Sequence, residues 1–230
     1  MPKIRPLYWI PLALLILLGG AYLAVFELPY WHSPRVIPVR LSNAHLENGD
    51  LVFRNGNSFM SDRIVDLSPE KIELSHAGVL IKRGDKFFVI HIVGDHFENY
   101  VKMEALDSFV AHSTGGHFCI TRYRDSAEVR NKIAARALAY KKENRAFDYD
   151  MTLESKDALF CTELVWRAIL EATGKDVSPQ KVPWRGKTLI GFLPFFRSPN
   201  FEPVYLEPGC PAFQKMASLP EKSALSSVKP

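Results

Sequence analysis

Cys161, His76 and His91 are the residues of this 230-residue chain whose types and surroundings can do covalent chemistry. Cys161 stands in Phe160-Cys161-Thr162-Glu163-Leu164-Val165-Trp166, where a loop turns into a helix. A helix N-terminus carries partial positive charge and unpaired N–H groups, both of which favour a thiolate. The thiolate is the nucleophilic form, so the expectation is a reactive thiol titrating below its usual value near 8.5. The competing reading is a small residue packed at the start of an amphipathic helix. The two histidines supply the test. Ser75–Lys82 and Lys86–Val93 are apolar runs flanking Arg83-Gly84-Asp85, a hairpin signal. With Arg83-Gly84 as a two-residue turn, His76 directly opposes His91. With Gly84-Asp85 as the turn, the register moves by two and they become diagonal neighbours on the same face. Either way two imidazoles share a face, as an acid–base residue and its orienting partner require. Metal sets such as His91, Asp95 and His96, or His112 and His117, match no ligand pattern, so no metal is expected.

The elements that must position these residues follow from periodicity. Leu46–Asp50 is a turn into a short strand, Leu51-Val52-Phe53. Residues 55–74 are a polar loop with some helical potential, and Phe118–Tyr123 is a further strand. Val129, Ile133, Ala134, Ala137 and Leu138 form one stripe of a helix over 126–144. Leu164, Val165, Ala168, Ile169 and Ala172 do the same for the helix that starts at Cys161, which Gly174 ends. Beyond Ser178 the chain is rich in Pro, Phe and Trp, and residues 218–230 read as a disordered tail.

Composition limits the rest. No charge interrupts Pro6–Phe26, about the 20 apolar residues a membrane-crossing helix needs, and Lys3 and Arg5 precede it. The segment ends in Ala24-Val25-Phe26-Glu27, a poor cleavage site, so residues 7–26 are expected to be an uncleaved signal-anchor behind a short basic N-terminus, 1–6. The positive-inside rule then puts the following domain in the periplasm or otherwise outside the cytoplasm. Residues 27–45, with Pro29, Pro34 and Pro38, read as a linker, and 46–217 as one domain. The net charge of +4 comes from scattered residues without a basic, aromatic-interleaved block, which argues against nucleic acid. Cys119, Cys161 and Cys210 are too few for a disulfide framework. A Cys119–Cys210 pair would leave Cys161 as the thiol; all three unpaired is the alternative.

Gly49-Asp50-Leu51-Val52-Phe53, Ser75-His76-Ala77-Gly78-Val79, Phe147-Asp148-Tyr149-Asp150 and Phe160–Val165, in this order, resemble the YiiX-like family of circularly permuted, NlpC-type papain-fold amidases or hydrolases. The resemblance spans roughly residues 46–180, with the histidine strand ahead of the nucleophile helix. Lecithin retinol acyltransferase and its relatives are similar in that order and also use a second histidine. The resemblance implies an α+β papain-like fold, an antiparallel sheet packed against helices, here behind the transmembrane helix. It implies Cys161 as nucleophile, His76 as general base and His91 as the third residue, where many members carry Glu. Ser75, Asp148 and Tyr149 match positions near the cleft and are expected to contact substrate; Glu163 matches without an evident chemical role. The expected function is a membrane-anchored cysteine hydrolase acting without a cofactor on amide, ester or thioester bonds of envelope peptides or lipids. An acyltransferase, or a module that binds peptide or lipid in the same cleft without turnover, is the alternative.

Overall fold

The computed structural model describes residues 9–24, 45–70, 72–94, 99–184 and 186–206. Its centre is a six-stranded sheet in which every neighbouring pair is antiparallel. The strands are β1 (Leu51–Gly56), β2 (His76–Arg83), β3 (Lys86–His91), β4 (Lys102–Ala105), β5 (Ser113–Tyr123) and, after two short pairs, β10 (Phe201–Leu206). Their spatial order is β10-β5-β1-β2-β3-β4. The short pairs are β6 (Ala146–Phe147) with β7 (Ala158–Leu159), parallel, and β8 (Val182–Trp184) with β9 (Lys187–Leu189), antiparallel.

Strand alternation divides the apolar side chains between two faces. Leu51, Phe53, Ala77, Val79 and Ile90 face the larger core. That core is completed by helices α4 (Ala127–Lys142) and α5 (Cys161–Thr173) and by the short α6 (Pro194–Arg197). Val52, Leu80, Val89, Phe118 and Ile120 face the smaller core, which α3 (Leu106–Ala111) closes with Leu106, Phe109 and Val110. Helix α2 (Phe59–Leu67) begins at Ser58, whose hydroxyl accepts from the Ser61 amide. Ser126 caps α4 in the same way, through Val129.

The hairpin takes the second of the two registers. Arg83 pairs with Lys86, Gly78 with His91, and Gly84-Asp85 form the turn, with Gly84 at φ +58°. Glycine is the residue that tolerates this conformation, which is why the turn is built on Gly84 and not on Arg83-Gly84 as its two central residues. His76 and His91 are therefore diagonal and still on one face.

Of the N-terminal segment the structure describes residues 9–24. Helix α1 covers Trp9–Tyr22, 14 residues, and its apolar side chains are exposed all round. At 1.5 Å per residue the described helix is about 21 Å long. No helix among the described residues is long and apolar enough to cross a membrane. Both ends of the expected 7–26 span, the 27–44 linker residues, Cys210 and the 218–230 tail lie outside the described residues.

Candidate active site

The sheet carries a row of buried polar groups on the face that α3 covers. His76, the first residue of β2, and His91, the last of β3, are 5% and 1% exposed. His76 Nε2 lies 2.8 Å from His91 Nδ1, the rings nearly perpendicular at 5.0 Å. Phe109 of α3 stacks on His76 and meets His91 edge-on. Gly78 makes room for this contact. A Cβ there would sit 2.4 Å from Val89 Cγ1, 2.9 Å from the Ile90 carbonyl and 3.1 Å from His91 Cβ. Any side chain at 78 would therefore press on Val89 and on the backbone and Cβ that carry the His91 ring.

The row continues to a carboxylate. Glu104 of β4 places Oε2 3.0 Å from His91 Nε2, an ion-pair contact that lies off the N–H axis. Its other oxygen accepts from the Ser108 hydroxyl and lies 3.5 Å from His112 Nδ1. Burial pushes the Glu104 carboxyl up, but its close contacts with His112, His91 and Ser108 outweigh it and hold the group well below the usual carboxylate range. An ionised carboxylate only accepts, so the His91 nitrogen facing it carries the proton. His91 Nδ1 is then the acceptor, His76 Nε2 the donor, and His76 Nδ1 the basic nitrogen left over. Burial, with the charges of Arg54 and His91, lowers the His76 imidazole well below its ordinary value, so it rests neutral.

Arg54, the cross-strand partner of His76 on β1, is 7% exposed. It donates to the His112 carbonyl and lies 4.6 Å over the Phe109 ring, while its Nε has no hydrogen-bond partner. Burial pulls its guanidinium down to about 10, opposed by the negative charge of Glu104 and of a Cys161 thiolate. Neither Arg54 nor Glu104 was legible as a site residue: one ends a strand motif, and the other belongs to a four-residue strand without a pattern of its own.

Cys161 enters from the opposite core as the first residue of α5. Its N-cap, Phe160, has no side-chain acceptor, and the Phe160 amide instead donates to the Glu163 carboxylate at 3.3 Å. The amides of Thr162 and Cys161 at the start of the helix, together with that of Ala77 on β2, favour the thiolate, as does Arg54. Burial exceeds all of them and pushes the thiol up to about 11. This reverses the expected depression; the helix terminus is present, but desolvation costs the anion more than the terminus returns. The thiol donates to the Ser75 carbonyl at 3.9 Å, immediately before His76, and makes no hydrogen bond to the imidazole. The sulfur thus lies against the backbone of Ser75 at the start of β2, one residue before His76.

The remaining expected residues serve geometry. Ser75 is buried, accepting from the Gly56 amide at 2.8 Å and donating to Asn55 at 3.1 Å, which ties the start of β2 to the end of β1. Asp148 is buried and spends its carboxylate on the amides of Asp150 and Thr152, at 2.9 and 3.0 Å. Tyr149 is 63% exposed and packs against Phe147. Neither lines the groove that opens at Cys161; Met151, from the same loop, does. Glu163 has a role after all: it caps α5 and pairs with Arg167 at 2.7 Å, and Arg167 holds the carbonyls of Leu153 and Ser155. Burial pushes the Glu163 carboxyl up to about 7.

Among the described residues no group of three or more His, Cys, Asp or Glu side chains could hold a metal ion; Asp95 and His96 are outside them. The chain is 28% identical over 137 residues to the uncharacterized protein YiiX of Escherichia coli K12, 59% of this chain and 63% of that one, so it spans less than two thirds of the relative's length. A crystal structure described as the metalloprotein yiiX of Escherichia coli O157:H7 superposes with a TM-score of 0.59 at 25% identity, covering 70% of this chain and 97% of the other. Residues 45–184, which hold Cys161, both histidines and Glu104, match the model of the permuted papain-like amidases, and the chain belongs to that family, YaeF/YiiX (C92).

Proposed function

We propose that this protein is a cysteine hydrolase that opens amide, ester or thioester bonds through an acyl-enzyme on Cys161. The observation that carries the reading is the row Glu104–His91–His76 on β2–β4, with the thiol of Cys161, at a helix start, against the carbonyl of Ser75, the residue before His76. In the first step the Cys161 thiol gives its proton to His76 Nδ1 as sulfur bonds to the carbonyl carbon. The carbonyl oxygen takes up negative charge near the first amides of α5, with Arg54 as the buried cation behind it. Collapse breaks the bond to the leaving amine or alcohol, which takes the proton from His76. Water then adds to the thioester, releasing the acid and returning the proton to sulfur. His91 and Glu104 touch no reacting atom and act by holding the tautomer and balancing the imidazolium. The apolar, unpacked α1 supports attachment at a membrane, with the catalytic domain outside the cytoplasm and acting on envelope peptides or lipids.

Intact-mass analysis after incubation with p-nitrophenyl acetate tests the reading. A single acetyl adduct is expected on the parent protein, absent from Cys161→Ala and strongly slowed in His76→Ala. An adduct that persists in Cys161→Ala would refute it.

A further inference from the structure

His112, the residue that ends α3, joins the two buried charges of the site through two different parts of itself. Its side chain is 46% exposed, so it stands at the solvent end of a row whose inner members, His91 and His76, are buried. The main-chain carbonyl accepts from the Arg54 guanidinium and from the Asn57 amide at 3.1 Å, which ties the end of α3 to the end of β1. The ring takes the other charge. Its Nδ1 lies 2.8 Å from the Ser108 carbonyl and 3.5 Å from Glu104 Oε1. A carbonyl only accepts, so this nitrogen carries a proton, and its positive edge stands beside the carboxylate oxygen that His91 does not take. The Ser108 hydroxyl donates to that same oxygen. Ser108 and His112 are four residues apart, so one turn at the end of α3 presents both to Glu104.

Glu104 needs such a hold. It sits on β4, an edge strand of four residues, and an ionised carboxylate there is drawn to water, which solvates it better than one imidazole N–H does. With Oε1 fixed by α3, Oε2 stays 3.0 Å from His91 Nε2. We propose that His112 is a positioning residue for the acylation of Cys161: its ring, with Ser108, keeps Glu104 on His91, and its carbonyl keeps Arg54 beside His76. The inference rests on the acyl-enzyme reading and adds to the row the residue that fixes its outer end. His112 touches no reacting atom and does not line the groove at Cys161, so its ring governs the rate of the step and not the binding of substrate.

The test uses p-nitrophenyl acetate, with acylation of Cys161 followed by intact mass and p-nitrophenol release, and thermal melting in parallel. Substitution removes the ring and keeps the carbonyl. His112→Ala is expected to lower the maximal acylation rate about fivefold, the effect of one ordinary hydrogen bond, with KM unchanged. His112→Asn, whose amide puts an N–H close to the place of Nδ1, should stay within about twofold of the parent. His112→Gln keeps size and polarity but carries its N–H farther out, so it should lose about as much as His112→Ala; it also serves where the alanine variant fails to fold. In a Glu104→Gln background the loss from His112→Ala should shrink below about twofold, because the carboxylate it acts through is gone. A parent-like rate in both His112→Ala and His112→Gln, a loss carried by KM, equal rates in the Asn and Gln variants, or an undiminished loss in the Glu104→Gln background overturns the inference and leaves the hydrolase intact. No adduct on Cys161 in the parent overturns both.

Discussion

Glu104→Gln is the sharpest test of how the buried row works, because it removes one charge and almost no volume. In the parent, the carboxylate 3.0 Å from His91 Nε2 requires a proton on that nitrogen. The 2.8 Å contact between the rings passes the requirement on and leaves His76 Nδ1 unprotonated and basic. A glutamine amide can donate to His91 Nε2 instead. Both rings then change tautomer, His76 Nδ1 carries the proton, and it can no longer accept one from Cys161. Loss of the charge alone weakens the support of the imidazolium by about 1–2 kcal/mol, the difference between charged and neutral hydrogen bonds, or roughly tenfold in rate. The tautomer change removes general-base help as well, which is worth about 10²–10⁴. The acylation rate of Cys161 at pH 7 should therefore fall at least 10²-fold, while Glu104→Asp, keeping the charge, loses less. Folding is monitored in parallel. The Glu104 carboxyl is depressed in the fold, so its stabilisation is present above the unfolded carboxyl pKa near 4.3 and fades as pH falls through the folded value. The gap between the thermal midpoints of parent and Glu104→Gln should consequently be constant above about pH 5 and begin to narrow as pH falls below about 4. A Glu104→Gln protein acylated within threefold of the parent rate refutes the relay.

Other consequences are direct. With the thiol pushed up to about 11, alkylation of Cys161 by iodoacetamide should keep rising from pH 7 to beyond pH 9; a plateau by pH 8 would show a depressed thiol instead. Gly78→Ala drives a methyl into Val89 and the Ile90 carbonyl, so it should lower stability by about 1–3 kcal/mol and slow acylation by displacing His91; an unchanged melting temperature contradicts the packing account. The raised Glu163 carboxyl binds its proton more tightly folded than unfolded, so its contribution to stability is present below the unfolded pKa near 4.3 and declines as pH rises to about 7. Glu163→Gln should flatten the parent's denaturant-midpoint profile between those limits, and an identical pH slope in the two proteins counts against the shift.

What was legible in the sequence, and what was not, divides along a physical line. The histidines could be placed on one face before the register was known, because a slip of two residues preserves the side-chain period and only a slip of one destroys it. The helix starting at Cys161 followed from its apolar stripe and Gly174, whose φ of +72° ends it as expected. Glu104 was invisible because its function comes from pairing β4 beside β3, so that a residue thirteen positions after His91 returns to its open nitrogen. Arg54 was invisible because a charge at the end of a strand ordinarily means solvent, and only α3 folding over it with Phe109 makes it interior. The sign of the thiol's shift failed for the same reason. Helix polarity is local and could be read from residues 160–166. Desolvation of the sulfur depends on walls contributed by residues 64–70 and 182–192, an assembly no local pattern announces. A raised thiol and a neutral imidazole change the chemical picture accordingly. In the proposed mechanism a thiol raised by burial is mostly protonated at pH 7, so the nucleophile is formed during the attack and not stored beforehand. Such a site depends on the base being in the right tautomer at the moment of need, which is what a carboxylate two imidazoles away can secure and a helix terminus cannot.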